Sequence, residues 1–195
     1  MAKIMTGQKL VIPSAESLAA SAQAIKTHDL PPIHLWNPPF CGDLDMRIAR
    51  DGTWFYQGTP IERFELVKLF SSILRREGED YFLVTPVEKV GIKVDDVPFV
   101  AVDFNSVNDG LVFESNVGDF VTAGPENPIR VSRDPKTGEP SPYVLVGDNL
   151  EALIDRKSFY RLVDIGEEAD VDGVCWFGVR SQGAFFGIIP ATELL

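Results

Sequence analysis

The chain has 195 residues, 45% hydrophobic and 24% charged, with 18 basic against 29 acidic side chains and a formal net charge of −11. This composition supplies a buried core and excludes wholesale disorder, and the length suits one larger or two small domains. The acidic excess repels phosphate backbones and anionic lipid heads, so the expectation is no nucleic acid and no membrane among its partners, while a local basic cluster can still hold a small anion.

No apolar run nears the roughly 20 residues of a bilayer span. The N-terminal MAKIMTGQKLVIPSAESLAASAQAIK has no uninterrupted apolar stretch of the kind a signal peptide carries. Cys41 and Cys175 lie far apart, so two reduced thiols in a cytoplasmic protein are expected.

Residues 1–30 read as a leader and one helix, capped at Ser14 and carrying Leu18, Ala22 and Ile25 on one face. The proline-rich arm LPPIHLWNPPF follows, with Trp36 and Phe40 expected to pin it to the body. Asp51-Gly52 between LDMRIAR and TWFYQ predicts a two-residue hairpin. Pairing across that turn sets Ile48 opposite Phe55 and Arg47 opposite Tyr56. Met46, Ile48 and Phe55 then share one face, and Arg47, Ala49, Trp54 and Tyr56 the other. After Gly58, Thr59, Pro60 and Glu62 read as a capped helix start. Ile61, Phe64, Val67, Phe70, Ile73 and Leu74 form its buried stripe, and Gly78 ends it.

Strand-like runs follow at 80–86, 87–94, 98–104, 110–115 and 119–123, the third apolar enough to be central. The Gly-Pro-rich link 123–128 marks the boundary between a first unit, 31–123, and a second, 124–195. In the second unit DNLEALIDRKSFYRLVDIG reads as helical from an Asp148/Glu151 capping box, with a phase slip that predicts a bend near Arg156. A hairpin around Arg180-Ser181-Gln182 closes the chain. Met46-Arg47-Ile48-Ala49-Arg50-Asp51 echoes Ile129-Arg130-Val131-Ser132-Arg133-Asp134, which suggests two related units.

Chemistry-bearing patterns are few. His28 and His34 share the irregular arm and no cysteine pair has zinc spacing, so no metal site is expected. There is no nucleophile elbow and no phosphate loop, and no residue is assigned a catalytic role. An anion can sit at the Thr59-Pro60-Ile61 helix start beside Arg63; equally, Arg63 can simply pair with a carboxylate there. On the Arg47–Trp54–Tyr56 face two readings compete: a stacking site for a flat anionic ligand, or a second core face with Arg47 at its edge. Glu88 and Lys89 point to opposite faces, so one of them turns toward the interior or a cleft, either as a paired buried charge or as a ligand contact.

HLWNPPFCGDLDMRIARDGTWFYQGTPIERFELVKLFSSILRREGEDYFLVTPVEKVGI, followed by PYVLVGDNLEALIDRKSFYRLVDI, resembles the bacterial domain-of-unknown-function family 1285 across most of residues 34–165. The combination W-x-P-x-x-C-G-x-x-D-M, D-G-x-W, G-T-P-I-x-R, L-R-R-E and L-V-T-P-V-E-K carries the resemblance. It implies a duplicated α+β arrangement with antiparallel sheets and a C-terminal unit superficially like the pleckstrin-homology fold. It also implies a nucleotide-like ligand between the units and a role in signal transduction, with no established activity and no named cofactor. Candidate ligand-binding residues chosen by residue type are Arg47, Trp54, Arg63, Glu88 and Lys89 in the first unit, with Arg156 and Tyr160 in the second.

The reading is therefore a non-enzymatic, small-ligand-binding or regulatory α+β protein for an anionic, nucleotide-like molecule. One alternative is an enzyme acting on phosphorylated or carboxylated metabolites through Asp45, Asp51 or Glu88. The other is a scaffold that docks a protein partner.

Overall fold

The computed structural model describes residues 12–25 and 31–193. His28 and the N-terminal part of the expected leader lie outside the described residues. The chain divides into two units, Met1–Ile48 with Thr53–Val94, and Ala49–Gly52 with Asp95–Leu195. The division falls near residue 95. The Gly-Pro-rich link at 123–128 instead joins two strands inside the second unit.

The first unit holds α1 (Ala15–Gln23), β1 (Phe40–Ile48), β2 (Trp54–Tyr56), β3 (Thr59–Pro60), α2 (Phe64–Ser71), β4 (Leu74–Glu77), β5 (Asp80–Val84) and β6 (Lys89–Val94). Its sheet order is β3-β2-β1-β6-β5-β4. Each half is an antiparallel meander, and the halves meet where β1 and β6 run parallel. Ser14 caps α1 as expected, its hydroxyl accepting from the Ser17 amide at 3.2 Å.

The hairpin register differs from the two-residue expectation by one position. Ile48 pairs with Trp54 and Arg47 with Phe55, with Ala49–Thr53 looping between the strands. A one-residue slip exchanges the two faces of a strand. Met46, Ile48 and Trp54 therefore face the core, each 1% exposed or less, while Phe55 is half-buried on the outer face beneath the Arg47 guanidinium at 4.7 Å. Trp54 stacks on Phe70 of α2, ring centroids 6.2 Å apart.

The helix also begins later than expected. Gln57 and Gly58 take left-handed φ angles of 49° and 75°, a tight turn that lays Thr59-Pro60 back on β2 instead of opening a helix. The helix starts at Phe64, after Arg63, which makes no side-chain capping bond. It stops at Ser71 because Leu74–Glu77 turns through Gly78 and pairs with β5. Of the predicted stripe, Phe70, Ile73 and Leu74 are fully buried, whereas Phe64 is largely exposed. Arg75 leads from this strand to the proline-rich arm, donating to the carbonyls of Ile33 at 3.2 Å and Trp36 at 2.7 Å.

The second unit contains β7 (Phe99–Val107), β8 (Gly110–Ser115), β9 (Phe120–Thr122), β10 (Ile129–Arg133), β11 (Pro140–Gly147), β12 (Leu150–Ile154), α3 (Arg156–Asp164), β13 (Glu167–Val171), β14 (Val174–Ser181) and β15 (Ala184–Pro190). Its six-stranded sheet has the order β10-β11-β12-β7-β8-β9, and β12 runs parallel to β7. Renumbered from one, the order is that of the first unit, so the two units share a strand topology. The Arg-rich echo pairs β1 with β10, which hold different places in that topology, and it is not the trace of the shared arrangement.

Residues 148–154 form a hairpin, not a helix. Asp148 and Asn149 take consecutive left-handed φ angles of 47° and 62°, which turns the chain so that Leu150–Ile154 pairs back on β11. Asp155 is the true cap, its carboxylate accepting from the Ser158 amide at 2.7 Å. The phase slip near Arg156 is thus a change from strand to helix.

A separate three-stranded sheet, β13-β14-β15, is fastened to β8 and the end of β9 by a buried hydroxyl. Ser181 Oγ donates to the Ala123 carbonyl at 2.6 Å and accepts from the Leu111 amide at 2.8 Å, with no exposure of Ser181.

Three outcomes check this account. Trp54→Ala should destabilise the fold by about 3–5 kcal/mol, the usual cost of removing a buried aromatic, and by clearly more than Phe55→Ala in chemical denaturation. Equal losses, or the reverse order, would contradict the observed register. Ser181→Ala should cost about 1–3 kcal/mol by leaving a buried amide and carbonyl without partners, read from the same denaturation curves. Glu77, beside Lys89 Nζ at 3.0 Å and Arg75, is held below the usual glutamate value of 4.5, chiefly by the Lys89 hydrogen bond. Its lowered value makes its contribution to stability complete above pH 4.5 and lost as pH falls through the folded-state value. Glu77→Gln should accordingly flatten the acid side of the stability-versus-pH curve and leave the slope above pH 6 unchanged.

Candidate functional site

The first-unit candidates occupy separate places. Arg47 lines an open recess of about 530 Å³ on the outer sheet face, with Asp43, Asp45, Phe55 and Lys93. Trp54 is in the core on the opposite face of the strand. Arg63 is exposed ahead of α2. The amides expected to bind an anion at Thr59–Ile61 lie in the β2–β3 turn region, where the Ile61 amide donates to the Trp54 carbonyl at 2.8 Å. Glu88 is half-buried and accepts from Ser21 of α1 at 3.3 Å. Lys89 pairs with Glu77, lies over the Phe82 ring at 4.8 Å and borders a recess of about 410 Å³ with Phe40 and Asp43.

Asp45 is exposed on β1 and Asp51 is exposed in the Ala49–Gly52 segment. Among the described residues, no group of three or more His, Cys, Asp or Glu side chains is placed to hold a metal ion. Cys41 and Cys175 are both free thiols. Burial and the neighbouring carboxylates of Glu168 and Asp170 push the Cys175 thiol up from its ordinary value.

In the second unit Arg156 and Tyr160 come together. Both stand one helical turn apart on α3, and Arg156 Nε donates to the Tyr160 hydroxyl at 3.1 Å, with the guanidinium 5.7 Å from the ring centre. That bond raises the arginine further above its ordinary range. The pair lines a cleft of about 420 Å³. Leu153, Ile154 and Phe159 give that cleft apolar surface, and Arg50, Ser141 and Glu139 line it as well. Among the described residues no carboxylate lies within ion-pair distance of Arg156.

A chain of contacts holds Arg50 in place. Arg50 donates to Ser141 Oγ at 2.7 Å and pairs with Asp96 at 3.3 Å. Asp96 accepts from the Tyr143 hydroxyl at 3.0 Å, and burial followed by the Asp96 charge pushes that phenol up. Arg130 lies over the Tyr143 ring at 4.2 Å and holds Glu151 through two bonds of 2.5 and 2.7 Å. Phe159, Arg50 and Ser141 escaped the sequence reading. Phe159 lies in the segment that the sequence reads as helical with a phase slip, and Arg50 meets Ser141 only because the folded unit brings distant residues together.

Comparison with known proteins completes the picture. Residues 31–97 match Domain of unknown function (DUF1285), N-terminal domain, and residues 98–188 match Protein of unknown function (DUF1285), C-terminal domain. The crystal structure of a DUF1285 family protein from Silicibacter pomeroyi DSS-3 is 60% identical, with a TM-score of 0.82, over 91% of this chain and 97% of that one. A DUF1285 family protein from Shewanella baltica OS155 is 28% identical, with a TM-score of 0.51, over 62% of this chain and 91% of that one. No curated protein matches the chain. Two family domains in tandem, on two units of shared strand topology, make the chain a member of the DUF1285 family.

Proposed function

We propose that this protein is a non-enzymatic binding protein with a regulatory role, and that its second unit takes a small anionic, ring-bearing, nucleotide-like molecule in the α3 cleft. One observation carries the reading: Arg156 and Tyr160, hydrogen-bonded to each other, line the same cleft as a second guanidinium, Arg50. A ring can lie against Tyr160 and the apolar surface of the cleft, and a phosphate or carboxylate can accept from the arginine forks. The volume of about 420 Å³ falls in the range of small-molecule sites, roughly 300–1,000 Å³. An acidic chain does not oppose this, because the field inside a cleft is set by the groups that line it. The candidates Arg47, Arg63 and Lys89 belong to other surfaces and are not needed for it. No helix among the described residues is long and apolar enough to cross a membrane.

Titration calorimetry against nucleoside monophosphates and phosphorylated metabolites tests the proposal. Arg156→Ala should weaken binding at least about tenfold, the loss of one charge-assisted hydrogen bond. Tyr160→Ala should weaken it by a similar factor, and Tyr160→Phe by less, because the ring remains. Arg47→Ala should change nothing. Unaltered affinity in an Arg50→Ala/Arg156→Ala double variant would overturn the assignment.

A further inference from the structure

The β13-β14-β15 sheet has an open edge. β13 pairs with β14, and among the described residues no backbone hydrogen bond joins Glu167–Val171 to any other segment. Every second residue of such a strand turns its amide and carbonyl outward, where an extended chain can pair with them. The side chains sort by the period of two. Glu167, Ala169 and Val171 stand opposite Gly178, Trp176 and Val174 on one face, and Glu168 and Asp170 stand opposite Phe177 and Cys175 on the other. Cys175 Sγ lies 3.8 Å from Glu168 Oε2, as a shared face requires.

The two faces differ in chemistry. On the first, Trp176 lies across Gly187 and Phe185 across Gly178, so close that a Cβ on either glycine would meet the ring. Val171, Trp176, Phe185 and Gly187 border an apolar recess of about 210 Å³, and Val171 and Val174 are exposed. The second face presents the exposed carboxylates of Glu168 and Asp170. From Asp164 to Val174 the chain carries Asp164, Glu167, Glu168, Asp170 and Asp172 and no basic residue. Of these acids, among the described residues, Glu167 alone is in an ion pair, with Arg180.

Such an edge refuses a second copy of itself. Two β13 strands paired antiparallel about Ala169 would set Glu168 opposite Asp170 twice, and like charges directly opposite are destabilising. The same carboxylates attract a cationic strand. We propose that the free edge of β13 takes an extended segment of a partner protein in which basic and apolar residues alternate, adding a strand to this sheet. The basic residues lie beside Glu168 and Asp170. The apolar ones lie beside Ala169 and Val171 and extend the surface of Val174, Trp176 and Phe185. Main-chain bonds supply the affinity, and the alternation of side chains selects the segment. This surface is separate from the α3 cleft and does not depend on what that cleft binds.

Fluorescence anisotropy with a labelled, capped peptide that alternates valine with lysine, titrated with the full chain, tests the proposal. The peptide should bind saturably, and an isomer with its lysines grouped at one end should bind at least about tenfold more weakly, having lost the two cross-strand charge pairs. Backbone N-methylation at every second residue should abolish binding for one set of positions and spare it for the other, because an added strand is bonded along one edge. Glu168→Gln/Asp170→Asn should weaken binding about tenfold, whereas Glu62→Gln/Glu65→Gln, the same change in charge at exposed acids of the first unit, should leave it unchanged. Glu168→Lys/Asp170→Lys should reverse the preference toward a peptide that alternates valine with glutamate. Absence of binding would overturn the proposal. Equal affinity for the grouped isomer, or tolerance of both methylated sets, would reduce the contact to bulk charge attraction and overturn it as well.

Discussion

In each unit the first and sixth strands run parallel, side by side, and everything else is arranged around that join. Neighbours in an antiparallel meander need only tight turns, but a parallel pair must be brought together from distant parts of the chain. In the first unit the join sets Arg47 beside Lys93 and Asp43 beside Gly91. The Asp43 carboxylate lies so close over Gly91 that a Cβ there would collide with it. In the second unit the join sets Leu153 beside Val100, and the ladder continues as the Asp155 amide donates to the Ala101 carbonyl at 3.0 Å. That bond fixes where α3 begins, and hence where Arg156 and Tyr160 stand. The cleft is a consequence of the parallel pair.

Left-handed turns supply the second constraint. Asn108-Asp109, Asp148-Asn149, Asp172-Gly173 and Gln182-Gly183 all connect hairpin strands with positive φ at both residues. Such turns match the twist of the strands they join, and Asn, Asp and Gly adopt them at the least steric cost. They also compete with helix starts, because Asp, Ser and Thr serve both purposes. At Asp148 and at Thr59 the turn wins, since each turn lays an alternating segment back on a strand that already has a buried face.

The second unit shows how an acidic chain can present cationic side chains. Its arginines are held by aromatic rings and single carboxylates in sequence, Arg50 to Asp96, Asp96 to Tyr143, Tyr143 to Arg130 and Arg130 to Glu151. Partnered in this way the guanidiniums are oriented without being neutralised one by one by bulk acid. Arg156, whose hydrogen-bond partner is the neutral Tyr160 hydroxyl, keeps a full charge at the cleft.

The local signals in the sequence were sound where one element decides itself. The Ser14 cap, the central apolar strand at Phe99–Val107, the strands at Asp80–Val84, Lys89–Val94 and Gly110–Ser115 and the family motifs were legible, because propensity, turn chemistry and period act over a few residues. The sequence also marked Arg156 and Tyr160, and it registered a break near Arg156 without its nature. What only the tertiary structure decided was anything that turned on pairing. A five-residue loop in place of a two-residue turn moved Trp54 into the core and Phe55 out of it, since strand faces have period two and a single slip exchanges them. The helix expected through Leu74–Glu77 became a strand because β5 offered it a ladder. Arg50, Ser141 and Phe159 could not be read as a cleft, because nothing in the local sequence records which distant residues a fold will set face to face.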